Sequence, residues 1–197
     1  MLSHLRPALV SMGLFTALLG LAYPLAVTGV AQAAFPTQAD GSLIRNADGK
    51  VVGSALIGQA FARPEYFHGR PSAAGSGYDA SASSGSNMGP LNEALIARQK
   101  ADAAALRSED PDMTIPADAV TTSGSGLDPD ISPANARFQA PRIANARGVP
   151  ENEVTALIDG QVRSPLLGFI GQPRVNVLTL NRALDTRYPL IANEKGG

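Results

Sequence analysis

The sequence has no cysteine and no tryptophan, only two histidines, and no charged or histidine side chain anywhere from Pro7 to Ala39. Without cysteine there is no thiolate to bind zinc, attack a substrate or carry a redox change, and no disulfide to brace a domain. His4 precedes the uncharged run, so imidazole chemistry in the remainder of the chain rests on His68. Aromatic residues make up 5% of the chain, thin material for a self-sufficient core, and support from a partner is expected. A net charge of −1 provides no basic stripe for nucleic acid.

The uncharged run is the strongest feature present. An apolar helix needs roughly 20 residues to cross the hydrocarbon layer at about 1.5 Å per residue, and Leu9 to Gly29 supplies that length. A secretory leader is the alternative: Ala31-Gln32-Ala33 has the small-x-small form of a cleavage site, and Pro24 could end a shorter apolar core at Tyr23. The length of the run favours a retained anchor. Gly13, Gly20 and Gly29, with Ser11 and Thr16, offer small surfaces for another helix, and Pro24 suggests a partner for its freed carbonyl. Positive charge next to a span is held on the cytoplasmic side, and the short flank carries Arg6. The expected organisation is a cytoplasmic flank 1–8, a transmembrane helix 9–31 and one extracytoplasmic domain 32–197. The fold class expected for that domain is α+β.

Beyond the span, Gly41 to Gln59 reads as a hairpin, with Leu43 and Ile44 before the turn Asn46-Ala47-Asp48-Gly49 and Val51, Val52, Ala55, Leu56 and Ile57 after it, because Asp-Gly tolerates positive φ. The same residues lack the later glutamate of a calcium loop. The segment 61–72 holds three aromatics and two Arg-Pro pairs, with Tyr66, Phe67 and His68 lying between the pairs. The small-residue tract 73–89 resembles a linker, although such residues also permit close backbone approach to another surface. A helix is expected from Pro90 to about Arg107, with Arg98 and Asp102 one turn apart. Further helices are expected over 132–147 with a break or kink at Pro141, over 150–162 with Val154, Leu157, Ile158 and Val162 on one face, and over 178–187 with Leu180 and Leu184 as its apolar residues. Leu166–Ile170 and Arg174–Val177 are candidate strands around Gly171-Gln172-Pro173.

The most informative loop is Thr121, Thr122, Ser123, Gly124, Ser125, Gly126, Leu127, Asp128 and Pro129, followed by Ser132. Small residues leading into a helix start can cradle an anion on backbone N–H groups, but the loop lacks the Gly-Lys-Ser/Thr ending of a P-loop. Its residues equally form a capped turn, with Ser132 as N-cap ahead of Pro133 and Asp128-Pro129 turning before it. It is the candidate interaction loop. No catalytic residue and no metal ligand set is assigned, and the cofactor-binding residues are unknown.

That loop, together with Arg142-Ile143-Ala144-Asn145-Ala146-Arg147-Gly148 and Pro173-Arg174-Val175-Asn176-Val177-Leu178, resembles the C subunit of the Kdp potassium-transporting P-type ATPase. Gly53 to Gln59, Tyr66-Phe67, Arg70-Pro71-Ser72, Ser86-Asn87 and Pro90-Leu91-Asn92 agree with it as well. Asp130 departs from the pattern, which has histidine in many members. The resemblance implies a non-catalytic subunit in the cell inner membrane, working beside a potassium-channel-like subunit, a P-type ATPase subunit and a small membrane subunit. It also implies a role described for the family as a catalytic chaperone that raises the ATPase subunit's affinity for ATP. That role conflicts with an extracytoplasmic domain. The chain itself lacks the Asp-Lys-Thr-Gly phosphorylation motif.

Two other functions stay open on the sequence. One is an extracytoplasmic hydrolase using Ser123 or Ser125 with His68 and Asp128, although Ser-Gly-Ser-Gly is not a nucleophile elbow. The other is a tethered small-anion binding protein using the loop before Ser132.

Overall fold

A computed structural model describes residues 2–109 and 113–190. Leu5–Ala34 is a single helix of 30 residues, long and apolar enough to cross a membrane, with none of its most apolar stretch buried inside the protein. It consists of α1 (Leu5–Ala17), a π-helical turn (Leu18–Ala22) and α2 (Tyr23–Ala34). The wide turn explains how the helix absorbs Pro24. In regular α geometry the proline ring would strike the carbonyl one turn back. Here the Tyr23 N–H reaches instead to the Leu18 carbonyl, five residues earlier, and the helix continues. A Cβ built on Gly13 or Gly29 would meet nothing within 4 Å.

A short helix, α3 (Pro36–Ala39), leads into the hairpin of β1 (Leu43–Arg45) and β2 (Val51–Ser54). The turn forms as the sequence dictates: Gly49 has φ +78°, and the Asn46 side chain accepts from the Lys50 N–H at 2.9 Å. The hairpin is shorter than expected, since Ala55–Ile57 is a turn and not strand. Ser54 ends the strand by donating its hydroxyl to the Gly41 carbonyl at 2.7 Å. Beyond it the backbone serves other partners: the Ala55 carbonyl accepts from Asn176 at 3.0 Å, and the Gly58 N–H donates to the Leu127 carbonyl at 2.8 Å. The chain forms two compact units that divide between Ser54 and Ala55.

The second unit holds α4 (Glu93–Glu109), α5 (Ala117–Val120), β3 (Asp130–Ile131), α6 (Pro133–Arg147), α7 (Glu151–Gln161), β4 (Val175–Asn176) and α8 (Val177–Arg187). β3 and β4 pair antiparallel, Ile131 opposite Val175. Around them the core is built from Ile131, Ala136, Ala140 and Ile143 of β3 and α6, Val154 and Ile158 of α7, and Val175, Leu180 and Leu184 near the C-terminal end, with Phe67 inserted from a loop. The apolar faces expected on α7 and α8 are the ones buried.

Three local expectations change. α4 begins at Glu93, because Asn92 caps it by accepting from the Ala94 and Leu95 N–H groups at 2.9 and 3.3 Å, while Pro90 lies in the preceding turn. α6 continues through Pro141 without a break and ends on Gly148 in the left-handed conformation, φ +65°. Leu166 and Ile170 are not a strand; they pair across a tight turn and close a small loop. The architecture remains α+β, an apolar helix followed by a mixed helix and strand domain.

Candidate functional site

The loop 121–132 is held against the segment 58–85 chiefly through backbone. Gly126 has φ +67°, and a Cβ there would lie 2.5 Å from the Ser84 carbonyl and 2.6 Å from the Ala74 nitrogen. A Cβ on Gly58 would lie 2.6 Å from the Asp128 carbonyl, and one on Gly85 would lie 2.9 Å from that of Gly124. The small-residue tract is therefore a packing surface and not a linker. Ser72 fastens it, donating its hydroxyl to the Gly126 carbonyl at 2.6 Å and accepting from the Ala74 and Tyr78 N–H groups. Tyr78 in turn donates to the Arg70 carbonyl at 2.6 Å. Burial, reinforced by the nearby Asp128 carboxylate, raises the Tyr78 hydroxyl above the usual phenol range.

Arg70 supplies the charged part of this closure. Its guanidinium donates to the Thr121 and Thr122 carbonyls at 3.3 and 3.1 Å and pairs with Asp128 at 3.1 Å. The other Asp128 oxygen accepts from the Asp130 N–H at 3.0 Å. Asp130 is paired with Arg174 at 3.0 Å and accepts from Asn176 at 3.1 Å. Both acids are thus committed to arginines within the domain.

Ser132 caps α6 as its sequence position requires, accepting from the Asn135 N–H at 3.0 Å. The carboxylate that meets this helix start belongs to Asp118. It accepts from the Ser132 N–H at 2.7 Å, the Ser132 hydroxyl at 2.9 Å and the Asn135 amide at 3.1 Å. Negative charge is favoured at that end of a helix. Ser132→Ala is expected to cost about 1 kcal/mol of stability, and Asp118→Ala more, because three donors lose their acceptor together. Denaturant unfolding of the two variants side by side measures the difference.

Two further arginines act as Arg70 does. Arg142 donates to the Pro64 and Tyr66 carbonyls at 2.5 and 3.1 Å and to Gln139 at 2.7 Å. The Arg147 side chain is 1% exposed; it donates to the Glu65 and Tyr188 carbonyls at 2.9 and 2.7 Å, pairs with Asp185 at 2.8 Å, and lies over the Tyr66 ring. Buried amides complete the set. Asn181 exchanges two hydrogen bonds with the backbone of Phe67, at 2.8 and 3.0 Å, and Gln139 does the same with His68, at 2.7 and 3.0 Å. No sequence signal distinguished Asp118, Gln139 or Asn181, which are ordinary polar residues until the fold brings loops to them.

The hydrolase reading finds its groups otherwise engaged. His68 Nε2 faces the Arg63 carbonyl at 3.1 Å, the Ser123 and Ser125 hydroxyls face each other at 3.4 Å, and both Asp128 oxygens have the partners given above. A cavity of about 300 Å³ is lined in part by His68, Arg70, Tyr78, Gln139 and Arg142. These side chains are already hydrogen-bonded to the loops around it. What the geometry defines is a small domain whose polar side chains clasp its own backbone, in a chain that also carries a helix long and apolar enough to cross a membrane.

The comparisons with known proteins agree. The family described as K+-transporting ATPase, c chain (KdpC), matches residues 5–186. A Caulobacter vibrioides (strain NA1000 / CB15N) protein is 85% identical over 197 residues, covering 100% of both chains. One from Caulobacter sp. (strain K31) is 75% identical over the same length, again 100% of both. One from Beijerinckia indica is 62% identical over 192 residues, 96% of this chain and 97% of the relative. All three are named potassium-transporting ATPase KdpC subunit. The chain belongs to the KdpC family, which makes it an accessory subunit and not a catalytic one.

Proposed function

We propose that this chain is the non-catalytic subunit of a high-affinity, ATP-driven potassium uptake complex, and that its work there is assembly and stability. The observation that carries the reading is the match over the whole chain to proteins named as KdpC subunits. Its partners are a potassium-channel-like subunit, a P-type ATPase subunit and a small membrane subunit. It crosses the cell inner membrane once, its amino terminus is cytoplasmic because of Arg6, and the domain lies outside. In that orientation the domain cannot touch cytoplasmic ATP, so the chaperone role described for the family would have to act through the partner subunits. The arginine and amide clasps support a rigid docking body over a nucleotide site.

Purification of the tagged chain in mild detergent is expected to bring the channel-like and ATPase chains with it, and a chain recovered alone would end the reading. Orientation has its own measurement. Protease added outside intact spheroplasts is expected to remove the domain beyond Asp40 while the amino terminus stays protected. Digestion only from the cytoplasmic side would reverse the assignment and reopen direct contact with ATP.

A further inference from the structure

We propose that the loop between Arg163 and Arg174 dips into the surface of the bilayer that holds the chain, an inference that rests on the reading of Leu5–Ala34 as a membrane anchor. Leu166, Leu167, Phe169 and Ile170 are 67, 76, 76 and 49% exposed, although the sequence from Pro165 to Gly171 has no side chain able to form a hydrogen bond. Such a run is costly to leave in water.

The backbone of this tip identifies the occupant. The Leu166 and Ile170 N–H groups bond each other's carbonyls at 3.1 and 2.9 Å, the Gly168 N–H donates to Pro165 at 3.0 Å, and the Phe169 N–H donates to Leu166 at 3.3 Å. Arg163 and Arg174 exchange backbone bonds of 2.8 and 3.2 Å at the neck. Hydrocarbon offers no partner to an open amide, so a tip that enters lipid must bond its own. Leu167 is held at φ +55°, an uncommon conformation for a bulky residue, beside Gly168 at φ +82°. The neck adds the matching charge. Arg163 is exposed, and the Arg174 guanidinium, paired on one side with Asp130, is still 48% exposed, so the neck behind the apolar tip carries a net positive charge, the order that a phosphate layer over acyl chains requires. The anchor keeps the bilayer at high effective concentration, so a small apolar contact suffices to hold the tip there.

The absence of tryptophan permits a direct test. Phe169→Trp creates a single reporter in the full chain, reconstituted in vesicles of phosphatidylcholine and phosphatidylglycerol with plain or brominated acyl chains. Bromine is expected to remove a large part of the emission, and adding Leu167→Asp should restore it while the circular dichroism and the flotation of the chain with the vesicles stay unchanged. Equal emission from plain and brominated vesicles, in a chain that floats with them, would overturn the proposal. So would a blue shift that appears only when the partner ATPase chains are added, which would assign the tip to a protein surface. A chain that fails to float would refute the anchor itself, and this contact with it.

Discussion

Arg147→Ala is expected to lower the stability of the second unit by roughly 3–5 kcal/mol, the scale of two carbonyls left without their donor together with a lost cation–π contact. The loss is of several kinds. Two carbonyls, of Glu65 and Tyr188, lose their donor, and the Tyr66 ring loses the guanidinium beneath which it packs. Asp185, whose side chain is 44% exposed, recovers solvation and contributes least. Arg147→Lys should recover only part, since an ammonium cannot reach two carbonyls and a carboxylate with a planar fork. Thermal unfolding of the full chain in detergent, followed by circular dichroism, should show a midpoint lower by on the order of 10 °C for the alanine variant. A midpoint within a degree or two of the parent would mean that water replaces the guanidinium at no cost.

The second large effect is expected at Asn181, which is 2% exposed on the buried stripe of α8. Asn181→Ala leaves both the N–H and the carbonyl of Phe67 without partners in the core. At about 1–3 kcal/mol for each unsatisfied group the sum is roughly 2–6 kcal/mol. Asn181→Asp separates hydrogen bonding from size: it keeps an acceptor for the Phe67 N–H, but sets a carboxylate oxygen against the Phe67 carbonyl where an amide donated. It should therefore fare no better than alanine near neutral pH and improve in acid, where the protonated acid can donate. Calorimetric unfolding at two pH values checks this, and an aspartate variant as stable as the parent at neutral pH would exclude the double hydrogen bond as the source.

The elements most legible in the sequence are those governed by local chemistry. Uncharged length marked the long helix, Asn46 to Gly49 the turn, Ser132 and Gly148 the two ends of α6, and spacing the buried faces of α7 and α8. Where long-range bonds decide, local reading stopped short. Pro90 reads as a helix start, but Asn92 takes the cap; the composition of 73–89 fits a linker or a packing surface equally, and nothing nearby in sequence reveals that Gly126 packs on Ala74 and Ser84. The candidate loop was visible as composition, but its closure by Arg70, Ser72 and Asp118 required the fold. An apolar pentapeptide between turn residues reads as a strand on β propensity alone. Its pairing with itself, Leu166 to Ile170, is a tertiary fact.

The clasps around Phe67 join residues 114 positions apart in the chain, and those around His68 join residues 71 apart. Contacts of such separation close late, because the intervening chain must be gathered before any bond rewards it. The amino-terminal helix, by contrast, is made first and needs nothing downstream. A growing chain therefore makes its apolar helix long before α8 exists to lock the domain. In the orientation proposed above, the chain is expected to cross the membrane before these clasps close, with α8 supplying the bonds that lock the domain once it is delivered.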